Sequence, residues 1–110
     1  MNEKKIRIVR DFGEFLALSE EDKASFDTFV SYRLPETTQI LDYILERNPN
    51  QLKWVHSCIA GVEIFLNSKA FKESPIPLTN ARTAFSKILG EFVIMAMIYF
   101  TKNMQIFQEQ

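Results

Sequence analysis

The feature that most constrains the fold is a strand-like run that ends in a glycine turn near the middle of the chain. Lys53 to Ile59 is short, rich in aromatic and β-branched residues and preceded by Pro49-Asn50, which predicts a buried strand. Ala60-Gly61 follows, and glycine permits either a sharp turn or close approach of the backbone to a ligand. Val62 to Leu66 has the pattern of a short helical turn. This order favours an α/β protein, in which ligands bind at the carboxyl ends of strands.

Strand and helix patterns alternate over the other parts of residues 1–85. β-branched and aromatic residues predict three further strands, at Lys5–Val9, Phe26–Tyr32 and Ile76–Thr79. One helix is predicted to start at Ser19, which precedes three acidic residues. Strands that alternate with helices predict a parallel sheet flanked by helices.

A second helix is predicted between the Phe26–Tyr32 strand and the central strand. Thr37 or Thr38 can cap it, and Asn48-Pro49-Asn50 ends it. Its apolar side chains form one stripe, which consists of Ile40, Leu41, Ile44 and Leu45. Asn67 to Pro75 shows no periodicity and is predicted to be irregular.

Composition excludes several functional classes. The chain has 110 residues, 46% of them hydrophobic, which is enough for one domain with a packed core. Its net charge of −1 leaves no basic surface for nucleic acid. Cys58 is the only cysteine, which excludes a disulfide framework and a cysteine-based zinc site. The N-terminus carries no apolar segment of the secretory kind, so we expect a cytoplasmic protein.

The last segment, Ser86 to about Phe107, is predicted to be one long helix capped by Thr83 or Ser86. Phe92 to Phe100 is apolar or aromatic on every side, but these nine residues are fewer than the about 20 of a membrane span. We therefore expect no membrane insertion. A helix of this kind is buried all round, so we expect self-association or a partner that covers it.

Four short motifs in order resemble the D-isomer-specific 2-hydroxyacid dehydrogenases, the family of glyoxylate, hydroxypyruvate and phosphoglycerate oxidoreductases. The motifs are Leu52-Lys-Trp-Val-His-Ser57, Ala60-Gly61-Val62, Ile76-Pro-Leu-Thr-Asn80, and Glu91 eleven residues beyond Asn80. The resemblance covers residues 50–107 well and the first half loosely. It implies a flavodoxin-like substrate-binding (lid) domain over residues 1–85, followed by a hinge helix, 86–110, that would lead into a Rossmann domain for NAD or NADP.

The resemblance implies roles for three residues. Ala60 and Gly61 stand where the family's backbone N–H groups hold the carboxylate of a small 2-oxo or 2-hydroxy acid. Ser86 stands at a hydroxyl position near the cofactor, although helix capping is an equal alternative. Thr83, Gly90 and Glu63 depart from the residues usual in the family, and Thr83 restricts a loop beside the cofactor cleft.

The catalytic half of such an enzyme has no counterpart in this sequence. The three glycines, at 13, 61 and 90, form no G-x-G-x-x-G motif, and no catalytic residue can be assigned. We expect no metal site, and structural roles for His56 and Cys58. Three hypotheses remain open: a truncated, inactive substrate-binding half; a non-enzymatic interaction module that uses its last helix; and one half of a split NAD(P)-dependent oxidoreductase.

Overall fold

The computed structural model describes residues 5–47 and 50–110 of the chain. They form two compact units, of which the first ends at Asn80 and the second begins at Ala81. Asn48-Pro49, the predicted end of a helix, lies outside the described residues. Among the described residues, no helix combines the length and the apolar character that crossing a bilayer requires.

A parallel sheet of three strands organises the first unit. The strands are β1 (Thr28–Ser31), β2 (Trp54–Ser57) and β3 (Leu78–Asn80), in the spatial order β1-β2-β3. Both pairings are parallel. The sequence-based prediction of an α/β fold with a parallel sheet and flanking helices is therefore confirmed, although the strands are shorter than their apolar patterns.

In the described part of the first unit, five helices accompany the sheet: α1 (Phe12–Leu16), α2 (Glu20–Ser25), α3 (Thr37–Leu45), α4 (Glu63–Leu66) and α5 (Lys69–Lys72). The predicted start of α2 is confirmed, because the Ser19 hydroxyl accepts a hydrogen bond from the Asp22 N–H at 3.1 Å. The prediction of an irregular stretch from Asn67 is wrong at α5. There, the Ser68 hydroxyl accepts a bond of 3.1 Å from the Phe71 N–H and starts a helical turn.

The core lies between the sheet and helices α3, α4 and α5, which contact one another on one face. Three residues of the predicted α3 stripe, Ile40, Leu41 and Ile44, are buried, and Leu45 is partly buried against them. The remaining buried apolar residues are Phe15, Leu52, Val55, Phe65 and Phe71. Right-handed crossovers that step one way across a sheet place every connecting helix on the same side, which explains this arrangement.

The opposite face of the sheet is open. Strand register brings Val30, His56 and Thr79 side by side there, with Trp54 next to His56. Val30 and Trp54 are both exposed. Residues 28–30 of β1 and Trp54 form one wall of a groove of about 850 Å³ whose other walls include residues 5–7 and α2.

The predicted first strand, Lys5–Val9, is wrong, because these residues pair with no strand. Ile6 and Ile8 are at least 80% exposed, so their β-propensity is not supported by burial. The Arg7 guanidinium instead forms a 2.8 Å ion pair with Asp22 of α2.

The second unit contains α6 (Ser86–Thr101) and α7 (Met104–Gln108). The prediction of one helix to Phe107 is therefore wrong in its last turns. Asn103 has a left-handed backbone with φ of 48°, a conformation that asparagine tolerates at helix ends and that stops α6. The Tyr99 hydroxyl donates a bond of 2.8 Å to the Gln108 side chain and ties α7 to α6.

Candidate functional site

Three polar residues end the three parallel strands. Ser31 pairs in register with Ser57, and Ser57 with Asn80, so the three form a row along the carboxyl edge of the sheet. Ser31 and Ser57 are buried. The carboxyl edge is where open parallel sheets bind ligands, and the loops that leave this row form the candidate site.

The turn after β2 is held by its carbonyl groups. The Ser57 hydroxyl lies 3.0 Å from the carbonyl oxygens of both Ile59 and Gly61, and its one proton is shared between them. The side-chain amide of Asn80 donates a 2.7 Å bond to the carbonyl oxygen of Ala60. All three carbonyls of the turn are thus bound to side chains that end strands.

The N–H groups of the same turn are free. Within residues 5–47 and 50–110, the backbone nitrogens of Ala60, Gly61 and Val62 have no hydrogen-bond partner. Successive free N–H groups in a turn can bind an anion. The structure thus places the two residues predicted from sequence, Ala60 and Gly61, in a turn whose acceptors are occupied and whose donors are not.

Gly61 lies beside the end of one flexible side chain, that of Glu63. Its φ is not positive, so its backbone conformation does not require glycine. A Cβ atom on Gly61 would lie 2.9 Å from Oε2 of Glu63. A carboxylate therefore already approaches the glycine closely, and Glu63 is the negative charge that an incoming anion meets.

The loop after β1 brings a cation to the same edge of the sheet. Arg33 is exposed and has a φ of 53°, an uncommon conformation for a residue with a side chain. A chain of two 2.7 Å hydrogen bonds fixes the loop around it, from Ser31 to the Thr37 hydroxyl and from Thr37 to the Leu34 carbonyl. Strained residues gather at functional sites, which makes Arg33 a candidate anion ligand.

His56 and Cys58 each form a hydrogen bond with a neighbouring strand, His56 through its ring and Cys58 through its backbone. His56 Nδ1 lies 2.7 Å from the Thr79 hydroxyl, which also accepts a 2.9 Å bond from the Trp54 indole. The Cys58 N–H donates to the Ser31 carbonyl at 2.9 Å, and its thiol is half-buried. The structural roles that the sequence predicts for these two residues stay predictions.

Ser86 begins α6 in the second unit. The prediction that Ser86 or Thr83 caps the helix is wrong, because the capping position is Phe85 and no side chain bonds there. Ser86 is exposed, which leaves its hydroxyl open to a ligand. The cofactor role implied by the family resemblance stays a prediction.

The clearest electrostatic pair lies on α2, just before the amino end of β1. The Lys23 ammonium is 2.6 Å from a Glu20 oxygen and lies over the Tyr43 ring. Their hydrogen bond lowers the pKa of Glu20 and raises the pKa of Lys23. Within the described residues, no group of three His, Cys, Asp or Glu side chains could hold a metal ion.

Comparison of the chain with protein families, curated proteins and solved structures found no match in any of the three.

Sequence reasoning missed four residues of the candidate site: Ser31, Arg33, Ser57 and Asn80. Three of them are the last residues of strands, and that position is a usable signal once the strands are known to be parallel. Arg33 carries no such signal, because its backbone conformation is set by the loop.

Proposed function

We propose that the chain is the substrate-binding half of an NAD(P)-dependent D-2-hydroxyacid dehydrogenase and binds the carboxylate of a small 2-oxo or 2-hydroxy acid at the turn of Ala60 and Gly61. A carboxylate accepts charge-assisted hydrogen bonds from backbone N–H groups, and such bonds are stronger than neutral ones. Arg33 adds a positive charge at the same edge of the sheet.

One observation carries the proposal. The carbonyl oxygens of Ile59, Ala60 and Gly61 are bound by Ser57 and Asn80, whereas the N–H groups of Ala60, Gly61 and Val62 have no partner within the described part of the chain. A turn with this polarity suits an anion and opposes a cation. The resemblance to the dehydrogenases implies that the anion is the carboxylate of a 2-oxo acid.

The family resemblance also implies which part of a complete enzyme this chain would form. A flavodoxin-like sheet has the order 2-1-3-4-5, and β1-β2-β3, in which neighbours in sequence are neighbours in space, would be its 3-4-5 half. α6 would be the hinge helix, and NAD or NADP would be bound by a Rossmann domain that this sequence does not contain. Ser86 would stand near that cofactor.

The experiment is a titration of the ¹⁵N-labelled chain with glyoxylate, followed by amide chemical shifts. We expect saturable shifts at Ala60, Gly61 and Val62, with a dissociation constant in roughly the millimolar range because only a few hydrogen bonds form. The uncharged amide of glyoxylic acid is the matched control ligand. Shifts that are absent, or equal for the two ligands, would contradict the proposal.

A second candidate function, a non-enzymatic interaction module, is favoured by α6. Its large apolar side chains, among them Phe92, Met97 and Phe100, are more than 60% exposed. Exposed apolar surface of this extent marks interaction sites. A Rossmann domain on a separate chain, as in a split enzyme, would be one such partner. Glyoxylate binding at the turn favours the dehydrogenase half or the split enzyme, whereas its absence together with helix-mediated association favours the module.

A further inference from the structure

β1 is an edge strand whose free side opens into the groove of about 850 Å³. Among the described residues, β1 pairs only with β2. The carbonyl oxygens of Asp27 and Ser31 accept hydrogen bonds from backbone N–H groups of the β2 segment. Backbone groups of successive residues alternate between the two sides of a strand, so those of Thr28 and Val30 face the groove. An open strand edge of this kind is a template for another strand.

The groove along this edge combines an apolar lining with an acidic wall. Three carboxylates line it, those of Glu21 and Asp22 on α2 and that of Asp27 directly before β1. Glu21 and Asp27 form no ion pair in the described parts of the chain. The buried or partly buried apolar residues of the groove are Phe15, Leu18, Phe26, Phe29 and Leu34.

The segment Lys5–Val9, which we call the arm, has the sequence pattern of a strand but no strand to pair with. Lys5 and Arg7 alternate with Ile6 and Ile8, which are at least 80% exposed. Successive side chains of an extended chain point to opposite sides, so one side of the arm is apolar and the other carries both basic residues. The arm is therefore complementary to the groove in apolar character and in charge.

In its own chain the arm lines the groove without pairing with β1. α1 begins shortly after the arm, and its capping residue Asp11 accepts a 2.8 Å hydrogen bond from the Glu14 N–H. The Arg10 N–H donates a 2.8 Å bond to the Glu14 carboxylate. These bonds fix the point at which the arm leaves α1 and hold it along a different wall of the groove from β1. The arm of a second copy enters the groove from outside and is free of this restriction.

We propose that the groove along β1 binds the arm of a second copy of this chain as an added strand, and that two copies exchange their arms reciprocally. Exchange of an identical segment closes a twofold dimer at low cost. Strand addition supplies backbone hydrogen bonds at the edge and side-chain contacts in the groove. Arg7 of each copy then pairs with Asp22 of the other, as it does at 2.8 Å within one chain. The Ala60–Gly61 turn lies outside the groove lining, so arm exchange is independent of the proposed carboxylate site.

The first test reverses the two charges of this ion pair and follows the chain by sedimentation velocity from low micromolar to near-millimolar concentration. Arg7→Glu and Asp22→Arg should each raise the dissociation constant of the dimer at least about tenfold, because like charges then meet at both symmetric contacts. An equimolar mixture of the two variants restores opposite charges between copies. We expect it to form a heterodimer with a dissociation constant within about threefold of that of the unsubstituted chain.

Lys72→Glu on α5 is the matched control, since it makes the same change of charge outside the groove lining. It should change the dissociation constant less than about twofold. Three results would overturn the proposal: a chain that stays monomeric throughout, an association that Arg7→Glu leaves unchanged, and a mixture that associates no more than either variant alone. The last result is the one expected if the arm acts only within its own chain.

The second test separates strand addition from side-chain contact alone. Proline lacks a backbone N–H and is tolerated on an edge strand where that group faces outward. Val30→Pro therefore removes a donor that faces the groove and keeps the bonds between β1 and β2. We expect it to raise the dissociation constant at least about tenfold, and Val30→Ala, which keeps the N–H, less than about threefold. Equal dissociation constants for the two variants would overturn the assignment of the arm as an added strand.

Discussion

The side-chain amide of Asn80, the last residue of β3, donates a 2.7 Å hydrogen bond to the carbonyl oxygen of Ala60 in the turn after β2. This bond joins two neighbouring strands at their carboxyl ends. Because the Ala60 carbonyl is occupied by this bond, the Ala60 N–H is the backbone group of that residue that has no partner within the described residues. This contact depends on the register of β2 and β3, and it occupies an acceptor of the candidate site, so that N–H donors are left for a ligand.

Replacing Asn80 tests that contact. Asn80→Ala should lower the free energy of unfolding by about 1 kcal/mol, and Asn80→Asp by more, since an acceptor would then face the Ala60 carbonyl. Urea denaturation measures both. Asn67→Ala is the control, because the Asn67 side chain is exposed and makes no hydrogen bond within the described residues. Equal stabilities of Asn80→Ala and Asn67→Ala would contradict the prediction.

Gly61→Ala should change the free energy of unfolding by less than about 0.5 kcal/mol. The backbone of Gly61 is not left-handed, and an added Cβ would meet only the end of the Glu63 side chain, which can rotate away. In a Glu63→Ala background the same substitution should stabilise the chain by about 0.4–1 kcal/mol, because the unfolded state loses freedom. Thermal or urea unfolding compares Gly61→Ala with the unsubstituted chain, and the double variant with Glu63→Ala. Destabilisation in the Glu63→Ala background would show backbone strain or crowding at Gly61.

The parts of the fold that sequence predicted are those in which local pattern and burial agree. The apolar stripe of α3 and the acidic start of α2 after Ser19 both follow from side-chain spacing. Lys5–Val9 has an equally good strand pattern, but a strand also needs a partner. Arg7 pairs with Asp22 instead. The end of α6 depends on the left-handed conformation of Asn103, which asparagine permits without requiring it.

The candidate site could be predicted only in part for a related reason. Ala60-Gly61 stands out because glycine after a strand has few roles. Ser57 and Asn80 carry ordinary side chains, and their importance comes from register, which pairs Ser57 with Asn80, 23 positions further along the chain. Register depends on long-range pairing that a local pattern does not contain.

Glu63→Gln should tighten glyoxylate binding about fivefold, if the proposed carboxylate site is correct. Oε2 of Glu63 lies 2.9 Å from the position that a Cβ on Gly61 would take, and a like charge at about 4 Å costs about 1 kcal/mol in water. The amide-shift titration measures the dissociation constant. Glu73→Gln is the matched control, since Glu73 pairs with Lys69 on α5. Weaker binding by Glu63→Gln would indicate that Glu63 is itself a ligand-binding group.

The chain by itself should not bind nicotinamide cofactor or reduce glyoxylate or hydroxypyruvate. The sequence contains no G-x-G-x-x-G loop for a pyrophosphate, and no proton donor can be assigned. Titration with NADH and with NADPH, followed by cofactor fluorescence, measures binding. Saturable binding in the micromolar range would require a different cofactor site from the one that the family resemblance implies.

The pH dependence of stability should reflect the ion pair of Glu20 with Lys23. The hydrogen bond from Lys23 is the main cause that holds the pKa of Glu20 below its ordinary value of 4.5. A carboxylate whose pKa is lower in the folded state stabilises that state fully above its unfolded pKa. The contribution of Glu20 is therefore complete above pH 4.5 and is lost as the pH falls through the folded value. The pKa of Lys23 is raised above 10.5, so its contribution is lost only at higher, alkaline pH.

Glu20→Gln should therefore destabilise the chain at pH 7, and its difference from the unsubstituted chain should shrink as the pH falls below 4.5. Lys23 also donates to the Leu16 carbonyl at 3.1 Å, so its ammonium keeps one partner in the variant. Urea unfolding between pH 3 and pH 7 measures the difference. Glu21→Gln is the control, because Glu21 forms no ion pair in the described parts of the chain. A difference that stays constant across this range would show that Glu20 acts through packing and not through its charge.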